Sequence, residues 1–163
     1  MMRNNILVFI FALGWNLLPA QSASLRMVAD SMPTLQKHYL YPSIIRALGS
    51  VSEDNSMNEL IEGLYYVLIL RVDSALLAKK GENFKDVPQK LEAEGYENFA
   101  SYTQKGSEFM VFALEESDGL ADFILVQREK HSQLYIEFVG QLKMTSIQKI
   151  MAMDLDMFKM FIE

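Results

Sequence analysis

The sequence predicts an α+β domain: a mostly antiparallel sheet of about four or five strands, arranged as a meander, with helices packed mainly on one face. Three observations lead there. Between Glu97 and Val139, short apolar or alternating runs are joined by tight turns bearing Gly or Asp, which is how a hairpin series reads. Segments of helical spacing, with Pro or Ser near the start and Gly past the end, precede and follow these runs. Half of the 163 residues are hydrophobic, so one domain of ordinary size can bury a real core.

The chain opens with one positive charge, Arg3, then an apolar run from Ile6 to Leu18, then the small residues of Pro19-Ala20-Gln21-Ser22-Ala23. That order is a cleavable secretory signal peptide. The apolar run has 13 residues and is broken by Asn16, whereas a spanning helix needs about 20. Ala20 and Ser22 fit the two small pockets of a signal peptidase, which places the cut after Ser22, with a cut after Ala20 as the alternative. The expected organisation is residues 1–22 as signal peptide and residues 23–163 as a single domain. Without a cysteine there is no site for lipid attachment at that residue. The product is expected to be exported, periplasmic or extracellular, not lipid-anchored, with no integral span after cleavage.

Ser24 to His38 has helical character, with Leu25, Val28, Ala29 and Met32 on one side, and Pro33 bends or ends it. Tyr39-Leu40-Tyr41 reads as a short strand. Pro42 suits the first turn of a helix through Ile44, Ile45 and Leu48, stopped by Gly49. Ser50 to Asn58 is a polar loop in which Ser56 and Glu59 form a capping-box pattern, so a short helix starts there and ends at Gly63. Leu64 to Val72 is aromatic and β-branched, a central strand apolar on both faces. Ser74 can cap a helix through Leu76 and Leu77. A second helix runs from about Phe84 to Glu94, with Gly95 past its end. The meander follows: Glu97–Thr103, a turn at Gln104-Lys105-Gly106, Glu108–Glu115, a turn at Ser117-Asp118-Gly119, Leu120–Arg128, and Gln133–Val139. Thr145 or Ser146 then caps a terminal helix to about Phe161.

Cutting after Ser22 leaves 141 residues with 14 basic and 21 acidic side chains, a net charge of −7 once Arg3 is gone. An acidic chain without a basic cluster repels phosphate backbones, so no nucleic-acid partner is expected. The absence of cysteine excludes thiol catalysis, CxxC redox chemistry and cysteine-based zinc sites. His38 and His131 lie far apart and are read as surface residues, so no metal site is expected. Neither a nucleophile elbow, nor HExxH, nor a P-loop is present. Glu115-Glu116-Ser117-Asp118-Gly119 lacks the alternating spacing of an EF-hand and is read as a solvated hairpin turn. No catalytic residue and no cofactor emerge.

Five of the 11 methionines fall between Met144 and Met160. At helical spacing Ile147, Met151, Phe158 and Ile162 share a face, a core stripe. Met153, Met157, Met160 and Phe161 widen the apolar arc, and methionine-rich surfaces adapt to varied partners. These four are the candidate docking surface, for an envelope protein or a second copy of the chain. Phe109 to Leu114 and Leu120 to Val126 are apolar on both faces, so either the N-terminal segment covers the second face or an oligomer does.

The order of pieces resembles the family known as domain of unknown function 4252, small exported proteins of Bacteroidota. The resemblance lies in Gly63-Leu64-Tyr65-Tyr66-Val67-Leu68, in Gly95-Tyr96-Glu97-Asn98-Phe99, in the hairpin Met110 to Val126, and in Leu134-Tyr135-Ile136-Glu137-Phe138-Val139-Gly140-Gln141-Leu142 with the following helix bearing Ile147 and Ile150. It implies an envelope location and assigns no site residue. The expectation is a non-enzymatic interaction or accessory domain of the bacterial envelope. The alternative is a binder of lipid or another apolar small molecule, in a cavity lined by Phe109, Phe112, Phe123 and Phe138. A hydrolase working with Asp and Glu alone is a third class, recognisable by a pocket of carboxylates with raised pKa.

Overall fold

A computed structural model describes residues 22–31, 36–49, 56–73, 86–152 and 158. Its elements are α1 (Ala23–Ser31), β1 (Gln36–Leu40), α2 (Pro42–Gly49), α3 (Ser56–Gly63), β2 (Leu64–Asp73), α4 (Asp86–Ala93), β3 (Glu97–Gln104), β4 (Ser107–Glu115), β5 (Ala121–Arg128), β6 (Ser132–Gly140) and α5 (Ile147–Ala152). The fold class holds, an antiparallel sheet with helices, but the sheet has six strands in the order β1-β2-β6-β5-β4-β3. The sixth is the short strand expected at Tyr39–Tyr41, which runs instead over Gln36–Leu40 and so takes Gln36–His38 out of the stretch expected to be helical. Alternation over five residues with Lys37 and His38 inside is a weak local signal. What makes this segment a strand is its pairing with β2, with His38 opposite Ile69 and Leu40 opposite Val67.

The meander β3 to β6 forms as expected. Lys105 and Gly106 both have positive φ, 50° and 82°, in a two-residue hairpin loop between Gln104 and Ser107. Positive φ at both central positions gives the turn the twist of the strands it joins. β6 pairs with its sequence neighbour β5 on one side and, on the other, with the distant β2 along its length, Ile136 opposite Ile69. At that seam, a Cβ on Gly140 would lie 2.1 Å from the Gly63 carbonyl oxygen and 2.8 Å from Leu64 Cα. Gln141 N–H donates to the same carbonyl at 2.8 Å. Only a residue without a side chain fits this approach.

Helices cover both faces of the sheet, not mainly one. On the front, Val67 and Ile69 of β2, Ile136 and Phe138 of β6, and Phe123 and Leu125 of β5 meet Ile45 of α2, Leu60 and Ile61 of α3, Ile147 and Ile150 of α5, and Phe158. On the back, Leu68, Leu70, Tyr135, Ile124, Val126 and Phe112 meet Leu25 and Val28 of α1 and Val87 and Leu91 of α4. Strands apolar on both faces demand this arrangement, because each buried Leu, Ile or Phe side chain contributes roughly 1.5–3 kcal/mol. Of the two ways to cover the second face, the chain uses its own N-terminal segment. The expected helix at Ser74–Leu77 lies outside the described residues. Among the described residues no helix is long and apolar enough to cross a membrane.

Candidate functional site

The back face carries the chemistry. Along β6, Gln133, Tyr135 and Glu137 point to the back and Leu134, Ile136 and Phe138 to the front. This alternation turns Glu137, set between two front-facing apolar neighbours, into a carboxyl on the covered back of an interior strand. It is 1% exposed. On the back of β5, Asp122 is 8% exposed and faces Leu114 of β4. Both lie at the end of the sheet where α1 begins and α4 finishes.

α4 ends in a Schellman motif. Tyr96 N–H donates to the Leu91 carbonyl and Gly95 N–H to the Glu92 carbonyl, both at 3.0 Å, with Gly95 at φ 96°. That turn aims Glu94 at the start of α1. The Glu94 carboxylate accepts from Ser22 Oγ at 3.0 Å, Ala23 N–H at 3.1 Å, Ser24 N–H at 2.7 Å and the Ser24 hydroxyl. A carboxylate there also complements the positive end of the helix dipole. Ser22 is the N-cap: its carbonyl accepts from Arg26 N–H at 3.0 Å and its hydroxyl from Leu25 N–H at 3.3 Å. Ser22 N–H in turn donates to Glu137 Oε1 at 2.7 Å.

The electrostatics follow from burial. Loss of water pushes the Glu137 carboxyl up to about 7, against the bond from Ser22 that favours the charged form; nearby Asp122 adds to the rise. Burial and then Glu116 raise Asp122 to about 6. Tyr96, at the centre of Asp122, Glu137, Glu94 and Glu116, is raised by burial first and by those four charges next. Among the described residues Glu137 Oε2 and Asp122 Oδ2 have no hydrogen-bond partner. Carboxyls with raised pKa are what general acid chemistry uses. Here both are covered, and the arrangement fastens α1 to the sheet. Among the described residues no group of three or more His, Asp or Glu side chains is placed to hold a metal ion.

A second feature lies beside the first. β1 is an edge strand, hydrogen-bonded to β2 alone among the described strands. Tyr39 is 39% exposed and Tyr41 56% exposed. Tyr39 packs edge-on against Tyr66 at 5.5 Å between ring centroids, and Lys37 Nζ lies 5.3 Å from the Tyr39 ring centre. Burial raises the Tyr66 hydroxyl, helped by Glu137 and Tyr39 and opposed by Arg26 of α1, so the aromatic edge and the acidic cluster are electrostatically continuous.

The sequence-derived docking residues fare differently. Met153, Met157, Met160 and Phe161 lie outside the described residues. Phe158, in their midst, is fully buried and meets Phe138 edge-on at 6.5 Å. His38 and His131 sit on different elements, β1 and the β5–β6 turn. The four phenylalanines of the proposed cavity are split: Phe109, Phe123 and Phe138 on the front, Phe112 on the back. Sequence reasoning missed Glu94, Asp122 and Glu137 as a group. The available signal was Glu137 itself, a lone carboxylate inside the run Leu134 to Val139.

An antiparallel α+β domain with a buried acidic cluster is the class the fold and site define. The chain belongs to the family described as Domain of unknown function (DUF4252), whose model matches residues 31–150. No curated protein and no solved structure matches the chain.

Proposed function

We propose that the protein is an exported, non-enzymatic interaction domain of the bacterial cell envelope, and that it binds an extended segment of a partner protein along β1. The observation that supports this reading is the exposed tyrosine pair, Tyr39 on the edge strand with Lys37 over its ring and Tyr41 just past the strand's end. An edge strand offers unpaired backbone groups to an added strand. Tyr and Arg are enriched where proteins meet. Both sheet faces are filled by the chain's own helices, which favours binding at the edge over binding inside. That same packing, with the phenylalanines divided between two cores, weighs against an internal lipid cavity as the alternative. The methionine-rich stretch Met153, Met157, Met160 and Phe161 is a second docking candidate.

Native mass spectrometry of the protein, isolated gently from the envelope of its own host, tests the reading. A bound polypeptide or homodimer that is lost in Tyr39→Ser/Tyr41→Ser, with circular dichroism unchanged, is the expected result. Extra mass of lipid size on the monomer would replace this reading with the apolar-ligand one. Loss of the complex in Met153→Ser/Met157→Ser/Met160→Ser but not in the tyrosine variant would move the contact to the C-terminal stretch.

A further inference from the structure

We propose that β3 is the seam of a homodimer: two copies of the chain join antiparallel along this edge, with Tyr102 on the two-fold axis and Ser101 opposite Thr103 of the second copy. The inference goes beyond the β1 contact above and does not rest on it. β3 is the other edge of the sheet, hydrogen-bonded to β4 alone among the described strands. Edge strands are normally guarded by shortness, lysine, proline or a bulge. β3 runs over eight residues, and from Asn98 to Gln104 it carries neither proline nor charge. Phe99 stands 48% exposed on it, a large apolar ring left in water. Its one guard is the bulge between Asn98 and Ala100, which sits at one end and leaves Ala100 to Gln104 as a regular edge.

The register follows from the backbone. Gln104 and Ser107 flank a two-residue loop, which makes them a hydrogen-bonded pair. Hydrogen-bonded and non-hydrogen-bonded pairs alternate along an antiparallel ladder. Tyr102 and Ala100 are therefore bonded to β4, while the N–H and C=O groups of Ser101 and Thr103 point away from it, to the open edge. A two-fold axis at Tyr102 sets Ser101 of each copy against Thr103 of the other, and each of these pairings exchanges both backbone hydrogen bonds. Side chains and charges agree with that axis. Tyr102, stacked on Phe109 at 5.1 Å between ring centroids, meets its own copy across the seam as an aromatic cross-strand pair. Ser101 and Thr103, both exposed, meet as a hydroxyl pair. Phe99 comes to lie beside the Lys105-Gly106 turn of the second copy. Glu97 precedes the neutral stretch and Lys105 follows it, so antiparallel pairing brings opposite charges together at each end, where parallel pairing would set like against like. Glu108, opposite Thr103 on β4, is already paired with Arg128 at 2.8 Å. An edge complementary to itself in hydrogen bonding, side chains and charge fits a second copy of this chain.

The test is sedimentation equilibrium of the purified full chain over a range of concentrations. A reversible dimer is expected, and a parent that stays monomeric at every concentration overturns the proposal. Ser101→Lys/Thr103→Lys sets lysine against lysine on both sides of the axis and is expected to weaken dimerisation by at least about tenfold, with circular dichroism unchanged. Ser101→Glu/Thr103→Glu is expected to do the same by itself. Mixing the two variants is expected to restore a dimer, because each lysine then faces a glutamate. A dimer that both variants retain overturns the seam, and a mixture that stays monomeric overturns its register and the proposal with it. A dimer lost instead in Tyr39→Ser/Tyr41→Ser lies at β1 and likewise overturns it. Should the double variants not fold, Thr103→Lys alone decides: weakened dimerisation supports the seam, and dimerisation equal to the parent's overturns it.

Discussion

The two faces of the sheet are closed by different physics. The front is an apolar cluster from Leu40 to Phe158, which the helices α2, α3 and α5 join through Ile45, Leu60, Ile61, Ile147 and Ile150. The back is apolar at its centre, but toward the start of α1 it carries Glu137, Asp122 and Tyr96, and α1 is held there by hydrogen bonds to carboxylates. The family match begins at residue 31, the last residue of α1. So the polar fastening belongs to a helix outside the matched region, and the apolar closure belongs to elements almost wholly within it. A packed face depends little on conditions, whereas a face fastened through carboxyls responds to pH.

The largest test removes the keystone of the front. Phe158→Ala deletes a fully buried ring from its contact with Phe138 and is expected to cost about 3–5 kcal/mol in urea unfolding, equally at pH 5 and pH 8. A loss below 1 kcal/mol would mean that the stretch beyond α5 is not part of the front. Deleting Met153 to Glu163 removes this ring as well, so unfolding of the truncated chain reports on core and says nothing of docking.

The next effect belongs to the back. Glu137 has an ordinary pKa of 4.5 and reaches about 7 when folded, so between those values the folded state binds more protons than the unfolded one. Stability should therefore fall as pH rises from 4.5 toward 7, and stay at the lower level above it. At about 1.4 kcal/mol per pH unit the loss is on the order of 3 kcal/mol. Asp122, raised to about 6, adds in the same direction. Glu137→Gln should flatten most of this slope in urea unfolding measured from pH 4 to pH 8. An unchanged slope would assign the titration elsewhere and dissolve the contrast between the faces.

The smallest effect is the cap. Ser22→Ala removes the hydroxyl that serves Leu25 N–H and reaches Glu94, and is expected to cost about 1 kcal/mol. Hydrogen exchange should speed up in α1 and leave the amides of α3 as they were. Faster exchange in both would show that the faces are not separable.

The sequence reading succeeded where one local signal sufficed. Pro42, Gly63 and Gly95 mark helix ends that the structure reproduces, and the turns at Lys105-Gly106 and Asp118-Gly119 sit where their positive φ values demand them. It failed where the cause lies far along the chain. Gln36–His38 is a strand because β2 is beside it, and nothing within five residues says so. Helices on both faces follow from where α1 and α4 pack. The acidic cluster joins Ser22, Glu94, Asp122 and Glu137, four positions that only the fold brings together.

The place of β6 between β2 and β5 governs how the chain can assemble. Among the described strands β6 is the latest in the chain, yet it is the plank that joins β1–β2 to β3–β4–β5. Without β6, β2 has β1 as its one partner among the described strands, a two-stranded ribbon too small to stand alone in water. Closing the β2–β6 seam spans some 70 residues of chain, a long loop that slows folding relative to the local hairpins. The two halves of the sheet therefore become one only when the described strand latest in the chain joins them.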